Sequence, residues 1–178
     1  SLGSIDRELF NTINKNSDIL IGDLIVSPFG ISHDAADPVA YTVKHAEDLS
    51  KKIGVVTDLG EYNESQIEIL QNCGILLAES NHDRKMLEVG PYPYETKRRI
   101  MSKYGHLSND DCSDFVNHLL HDNMKTLLLG HLSKNNNYEL LAYETVRHGI
   151  DSGEHEYRAN DFDIRVTNSD KPSDIIVI

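Results

Sequence analysis

The sequence has no tryptophan, few aromatic residues and two cysteines among its 178 residues. Aromatic residues make up 7% of the chain, so we expect a hydrophobic core built mainly from leucine, isoleucine and valine. Cys73 and Cys112 lie in helix-like stretches without a C-x-x-C spacing, which favours reduced thiols over a disulfide. No apolar run approaches the ~20 residues of a membrane span, and no signal-peptide pattern opens the sequence. We therefore expect a cytoplasmic protein without membrane association.

Basic residues are also scarce, with 17 Lys and Arg against 29 Asp and Glu and a net charge of −12. This charge argues against a broad nucleic-acid-binding surface, because such surfaces need clustered Lys and Arg. The local run Lys-Arg-Arg at 97–99 leaves a small phosphate-binding patch open. Neither G-x-G-x-x-G nor G-x-x-x-x-G-K-[ST] occurs, which argues against an ordinary nucleotide-binding α/β domain.

Hydrophobic periodicity predicts strands in the first part of the chain and alternating helices and strands afterwards. We expect strands at 19–27, 39–45, 53–57, 75–78 and 126–130, and edge strands at 154–157 and 162–166. We expect a short helix or irregular lead-in at 5–14, and helices at 65–73, 84–89, 94–104, after an N-cap at Ser108, and 137–148. With no linker or repeat, residues 1–178 are predicted to form a single α/β domain, a sandwich with a mixed sheet.

The two longest predicted helices each have an expected buried face. The helix after Ser108 is expected to bury Cys112, Phe115, Val116 and Leu119. The helix at 137–148 is expected to bury Leu140, Leu141 and Val146.

Three of the apolar runs end in a residue that can hold a metal. His33 follows LIVSPFGIS, Asp58 follows IGVVT, and His131 follows TLLLG. The carboxyl ends of strands are where an α/β sheet presents side chains to a cleft, and imidazole and carboxylate groups suit Zn²⁺ and similar ions. Taken alone, each residue has an ordinary interpretation as a surface histidine or a turn-forming aspartate. Their joint occurrence at three strand ends favours part of a hydrolytic metal site.

A fourth candidate, His106, lies in a Gly-His-Leu-Ser turn before a predicted helix. In a two-metal site an aspartate can bridge ions ~3.5–4 Å apart, while a nearby histidine protonates the leaving oxygen as a general acid. His106 suits that task because it need not be a metal ligand. An exposed residue at a helix entry is an equally good interpretation from the sequence alone.

Six short motifs occur in a fixed order and together resemble a known family. They are Ile31-Ser-His-Asp-Ala-Ala, Val56-Thr-Asp-Leu-Gly, Glu79-Ser-Asn-His-Asp, Lys97-Arg-Arg-Ile, Gly105-His-Leu-Ser-Asn, and Gly130-His-Leu-Ser followed by Asn135-Asn136. The series is similar to the YycJ/WalJ branch of metallo-β-lactamase-fold hydrolases. The resemblance extends from about His33 through the last predicted helix.

This resemblance implies an αββα sandwich with a binuclear metal centre at the sheet edge. His33 and His131 match metal-binding histidines of the family, and Asp58 matches its bridging carboxylate. His106 resembles the histidine that nucleic-acid-processing relatives such as ribonuclease Z place near the scissile phosphate, with Glu79 as its supporting acid. The implied activity is metal-dependent phosphodiester hydrolysis on nucleic acid, of the exonuclease kind.

Two basic residues could contact the substrate in this interpretation. Arg98 and Arg99 are able to bind phosphate through their guanidinium groups. A solvated helix face, with no substrate contact, explains the same two residues equally well.

The sequence departs from the family pattern in one respect: it contains no His-x-His-x-Asp-His run. We therefore expect the C-terminal part of a longer hydrolase, whose complete form holds two Zn²⁺ or Mn²⁺ ions. The chain by itself is expected to bind few ions or none and to be inactive. Missing strands would expose a sheet edge and allow a homodimer. The alternative is a scaffold module with the same fold and no catalytic activity.

Overall fold

A seven-stranded mixed sheet organises the part of the chain that the computed structural model describes, residues 12–15 and 17–178. Its strands are β1 (Ile19–Ile21), β2 (Leu24–Gly30), β3 (Val39–His45), β4 (Asp48–Val56), β5 (Ile75–Glu79), β6 (Thr126–Gly130) and β7 (Asp163–Val166). The strands lie in the sheet in chain order. Strands β1 to β4 pair antiparallel and β4 to β7 pair parallel, so the predicted mixed sheet is confirmed.

Helices connect the parallel strands. They are α1 (Glu64–Leu70), α2 (Arg84–Val89), α3 (Tyr94–Ile100), α4 (Asn109–Asn117) and α5 (Glu139–Ser152), with a short 3₁₀ helix at Ala159–Asp161. Each crossover joins a strand to the next parallel strand of the sheet, and buried residues of α1, α4 and α5 pack into one core with β5 and β6. Within the described residues, no helix is both long and apolar enough to span a bilayer.

Capping boxes mark the beginnings of α1 and α4. Ser108 is the N-cap of α4, as the sequence predicts, and forms a capping box with Asp111. Asn63 and Gln66 form a second capping box at α1, which therefore begins at Glu64. These caps satisfy amide N–H groups that have no partner within the helix.

The core lies between the sheet and α4 and α5. Every second residue of β5 and β6 is fully buried on this side, and the predicted buried face of α4 is confirmed. These core residues are Leu76, Ala78, Leu127, Leu129, Cys112, Phe115, Val116 and Leu119. The prediction for α5 is wrong at Leu140, which is 64% exposed, because the inward face of this helix is formed by Ala142, Val146 and Ile150.

The opposite face of the sheet carries a second, less buried apolar row. Tyr41, Val55, Leu77 and Leu128 are paired across β3 to β6 and are each half-buried. They alternate with core residues along their strands, so they point away from the helices. This apolar face is consistent with one half of a layered sandwich.

Three strand predictions need correction. The strand predicted at 19–27 is a hairpin of β1 and β2, because Gly22 adopts a positive φ of 58° in the turn between them. Strand β4 begins at Asp48, before the predicted 53, because its charged first residues continue the pairing with β3. Residues 154–157 form no strand, and the lead-in predicted at 5–14 falls mainly outside the described residues.

Buried amide side chains tie together the loops at the carboxyl ends of β5 and β6. The Asn137 Nδ2 donates to the Ser80 carbonyl (2.9 Å), the Asn81 carbonyl (3.1 Å) and the Asn109 Oδ1 (2.8 Å). The Ser80 hydroxyl also donates to the Asn109 Oδ1, at 2.7 Å. Because Ser80, Asn109 and Asn137 are buried, each of these bonds is shielded from water. The cluster fixes the positions of the loops relative to one another.

We predict that Asn137→Ala destabilises the protein by about 2–4 kcal/mol, since it leaves the buried Ser80 carbonyl and the Asn109 Nδ2 without a partner and the Asn81 carbonyl with the Ser133 amide alone. Asn135→Ala is the matched control, because the Asn135 side chain donates to the Tyr92 hydroxyl at an exposed position. Urea unfolding followed by circular dichroism measures both. Equal midpoints for the two variants would contradict the prediction.

Candidate metal centre

The candidate residues of the metal centre meet at one edge of the sheet. Glu79 ends β5, His131 directly follows β6, and Asp58 lies two residues beyond β4. Because these three strands are adjacent and parallel, their carboxyl ends meet at the same edge. His106 reaches the same point from the turn before α4, and His33 from the loop after β2.

The Glu79 carboxylate is the centre of the hydrogen bonding in this cluster. Its Oε1 lies 2.8 Å from the His106 Nδ1 and 2.6 Å from the His131 Nδ1. Its Oε2 accepts from the Leu59 amide at 2.7 Å. The side chain is completely buried. One buried carboxylate therefore orients two imidazole rings and the backbone next to Asp58.

These contacts shift the pKa values of both partners. Burial raises the pKa of the Glu79 carboxyl, but the hydrogen bonds from His106 and His131 outweigh this effect and bring it below its usual value. The hydrogen bond to Glu79 raises the pKa of His131. The carboxylate is therefore ionised near neutral pH and accepts from both rings.

Asp58 lies opposite three imidazole rings. Its Oδ1 is 3.6 Å from the His33 Nε2, 3.7 Å from the His131 Nε2 and 3.8 Å from the His106 Nδ1. Potential ligand atoms of Asp58, Glu79, His106 and His131 all lie within 4.8 Å of one another. The structure thus brings together the residues that the sequence analysis selected at three strand ends.

Asp58 and His131 both adopt a left-handed backbone conformation, with φ of 59° and 57°. This conformation is uncommon for residues other than glycine and persists where the surroundings enforce it, often at functional sites. The Asn81 amide holds the His131 carbonyl at 2.8 Å. The left-handed conformation at His131 turns its side chain back over the end of the sheet, toward Glu79.

The loop that carries His33 is fastened to the segment that leads to His106. The Ser32 hydroxyl donates to the Lys103 carbonyl at 2.7 Å, and the His33 Nδ1 lies 3.1 Å from the Gly105 carbonyl. A Cβ atom on Gly105 would lie 2.1 Å from a backbone oxygen, so this close packing requires glycine. The contacts leave the His33 Nε2 directed toward Asp58 and bring the rings of His33 and His106 to 5.1 Å between centroids.

The two arginines selected from the sequence have different surroundings. Arg99 forms a two-point ion pair with Asp34, the residue after His33, and this contact lowers the pKa of Asp34. Arg98 is 69% exposed and pairs with Glu95 at 3.0 Å. Contact of either residue with a substrate phosphate stays a prediction.

Two features of the site escaped the sequence analysis. The first is Asp34, whose Oδ1 lies 3.4 Å from the His33 Nε2; its position next to a selected histidine was the available signal. The second is the contact from Glu79 to His131, since the resemblance suggested only the contact to His106. For this contact, the available signal was the position of the Glu79 carboxylate at the end of β5.

The donor set fits a divalent metal ion. The Nε2 atoms of His33 and His131 and a carboxylate oxygen of Asp58 are the ligand types that Zn²⁺ and Mn²⁺ accept. Both Glu79 oxygens already accept hydrogen bonds, so this residue is better suited to orienting ligands than to binding the ion. Three ligands can hold one ion, and a second ion needs further donors.

Two curated proteins show the relationship at the level of sequence. The chain is 37% identical over 125 residues to exodeoxyribonuclease YycJ of Bacillus anthracis, which covers 70% of this chain and 46% of that protein. It is 34% identical over 145 residues to exodeoxyribonuclease WalJ of Streptococcus pneumoniae strain D39, covering 82% and 53%. The chain spans about half the length of these relatives. No family model matches the sequence.

Solved structures show the relationship at the level of fold. The metallo-β-lactamase fold protein YhfI of Bacillus subtilis aligns with a TM-score of 0.60 at 13% identity, over 88% of this chain and 51% of that one. Zn²⁺-bound PqqB of Methylobacterium extorquens aligns with a TM-score of 0.55 at 13% identity, over 88% and 50%. The motifs, the sheet and these similarities agree: the chain has the metallo-β-lactamase fold, and its sequence is similar to the exodeoxyribonucleases YycJ and WalJ.

Proposed function

We propose that the complete protein containing this chain is a metal-dependent hydrolase that cleaves phosphodiester bonds in nucleic acid, in the manner of an exonuclease. The observation that carries this proposal is the convergence of the His33 and His131 Nε2 atoms on one oxygen of Asp58. The names of the curated relatives support DNA as the substrate. The net charge of −12 favours a short contact with a strand over a long one.

His33, Asp58 and His131 are the proposed metal ligands. A divalent ion bound here would supply Lewis-acid activation of a phosphate and of a water molecule. Two ions, Zn²⁺ or Mn²⁺, are proposed for the complete protein, and few or none for this chain with its three ligands. The chain's own contribution is to hold the two Nε2 atoms in place through hydrogen bonds at Nδ1.

His106 is the proposed general acid, with Glu79 as the residue that positions it. A proton on the His106 Nδ1 is held by Glu79 at 2.8 Å, which leaves the Nε2 to carry a second proton toward a leaving oxygen. Glu79 itself exchanges no proton with the substrate.

Arg98 and Arg99 are the proposed phosphate contacts. The exposure of the Arg98 side chain supports its role, because a substrate could reach it directly. Arg99 would have to release Asp34 before binding a phosphate. Residues 1–178 are proposed to belong to a single domain of a cytoplasmic protein.

A homodimer through the sheet edge is proposed as well. Among the described residues, β1 pairs with β2 alone, and Leu20 and Ile21 at this edge are 69% and 60% exposed. An edge strand with exposed apolar side chains can pair with a second copy.

We predict that His131→Ala in the complete protein lowers both Zn²⁺ content and hydrolysis of single-stranded DNA by more than about 100-fold. Loss of a residue that only orients a ligand costs about 10–100-fold in metal affinity or activity, and loss of a ligand itself should cost more. His148→Ala is the control, because this histidine is exposed on α5. Metal analysis of the purified proteins and a fluorescent oligonucleotide assay measure the effects. Unchanged metal content and rate in His131→Ala would refute the assignment.

We predict that Glu79→Gln lowers kcat by about 10–100-fold with little change in KM, because the glutamine NH2 group cannot accept from the Leu59 amide while the amide oxygen accepts from His106 and His131. Steady-state kinetics on an oligonucleotide measure the effect. The midpoint of thermal unfolding checks that the variant is folded. A wild-type kcat in a folded variant would show that the carboxylate has no positioning role.

We predict that Leu20→Lys converts a dimer into a monomer, since a charge at an edge strand opposes pairing. Sedimentation velocity at several protein concentrations distinguishes the two states. Leu49→Lys serves as control, because Leu49 is 60% exposed at the start of β4, an interior strand of the sheet. A monomeric wild-type protein would exclude the proposed dimer.

A further inference from the structure

A cleft of about 630 Å³ opens beside the candidate metal centre. His33 forms part of its wall, together with Ile31, Pro38, Tyr62 and Tyr104. This volume is typical of a small-molecule site, and apolar and aromatic side chains predominate on such walls. Because His33 is shared, a molecule in the cleft would lie directly against a proposed metal ligand.

We propose that this cleft binds a nucleobase of the DNA strand whose phosphate reaches the metal centre. The proposal rests on the proposed function and adds a binding site to it. Tyr104 lies two residues before His106, and its carbonyl accepts from the Asp34 amide at 3.1 Å. The same short segment therefore connects the cleft to the proposed general acid, so a base and its adjacent phosphate can be bound side by side.

Tyr104 offers the surface on which a base can stack. Its side chain is 50% exposed, although its backbone is fixed by the contact with Asp34. The Lys103 Nζ lies 4.9 Å from the centre of the ring and adds a positive charge at the same position. Aromatic rings next to basic side chains are the usual means by which proteins hold single-stranded nucleic acid.

Two polar side chains of the cleft wall, Gln66 and Ser32, are occupied by the protein itself, whereas the Glu61 carboxylate also lines the cleft. The Gln66 Nε2 donates to the Gly30 carbonyl at 3.1 Å, and its Oε1 accepts from the Asn63 amide at 3.0 Å. The Ser32 hydroxyl donates to the Lys103 carbonyl. Proteins read DNA sequence by hydrogen bonds to base edges. The Gln66 amide and the Ser32 hydroxyl are already bonded within the protein and are unavailable for such bonds. Stacking on Tyr104 is therefore the main contact that this proposal assigns to the base.

The charge distribution of the chain supports the binding of a DNA strand at this position. Residues 84–104, which end at Tyr104, contain six basic and two acidic residues, a net charge of +4. The rest of the chain has 11 basic and 27 acidic residues, a net charge of −16. Ion pairs with Asp34 and Asp111 neutralise two of the six basic residues, Arg99 and Arg84. The remaining positive charge favours binding of a DNA strand near residues 84–104 over binding at the acidic rest of the chain.

The test is the binding of a fluorescent thymidine oligonucleotide to the complete protein, with a chelator present to prevent cleavage. Tyr104→Ala is expected to weaken binding by about 5- to 100-fold, and Tyr104→Phe by less than about threefold, because phenylalanine keeps the ring. An oligomer of abasic deoxyribose phosphates has the same backbone charge without bases. It should bind wild-type protein weakly, and Tyr104→Ala should weaken its binding no further.

Tyr138→Ala is the matched control, since Tyr138 is 54% exposed and is not part of the cleft wall. Equal weakening of the thymidine and abasic strands by Tyr104→Ala would overturn the proposal, as would wild-type binding by this variant. Hydrolysis of bis(p-nitrophenyl) phosphate, which needs no nucleobase, tests the metal centre separately. Its absence in wild-type protein would refute the proposed function, while the binding result would still decide the cleft.

Discussion

The geometry of the site depends on one buried carboxylate. Glu79 ends β5, which lies between β4 and β6, and accepts hydrogen bonds from His106, His131 and the Leu59 amide. A buried carboxylate is tolerated only with such partners, so its burial and the orientation of the two rings require each other. The Nδ1 contact leaves the His131 Nε2 facing Asp58. A preference for one ring orientation is thus built into the folded chain before any metal binds.

The sheet supplies the framework for this arrangement. Strands β4, β5 and β6 are neighbours in the sheet as well as in the sequence, which places Asp58, Glu79 and His131 side by side. The amides of Asn109 and Asn137 then fix the loops at this edge. The opposite face of the sheet carries a half-buried apolar row that the described residues leave partly exposed. The curated relatives are about twice as long as this chain. The second ion proposed for the complete protein needs donors in addition to His33, Asp58 and His131.

Local patterns in the sequence predict much of this fold, whereas long-range contacts are not encoded locally. Alternation in β3 predicts its bounds correctly, and Ser108 with Asp111 predicts the start of α4. The turn at Gly22 was missed, because apolar residues continue on both sides of it. At the site, strand ends predicted His33, Asp58 and His131. The ion pair between Arg99 and Asp34 joins residues 65 positions apart, and no periodicity reports such a contact.

The proposed function depends most on a metal site shared by His33, Asp58 and His131. Anomalous diffraction at the zinc or manganese edge, from crystals of the metal-loaded complete protein, tests this directly. We predict an anomalous peak about 2.0–2.2 Å from the His33 or His131 Nε2 and from an Asp58 oxygen. A metal bound elsewhere, with these three side chains free of any ion, would contradict the account.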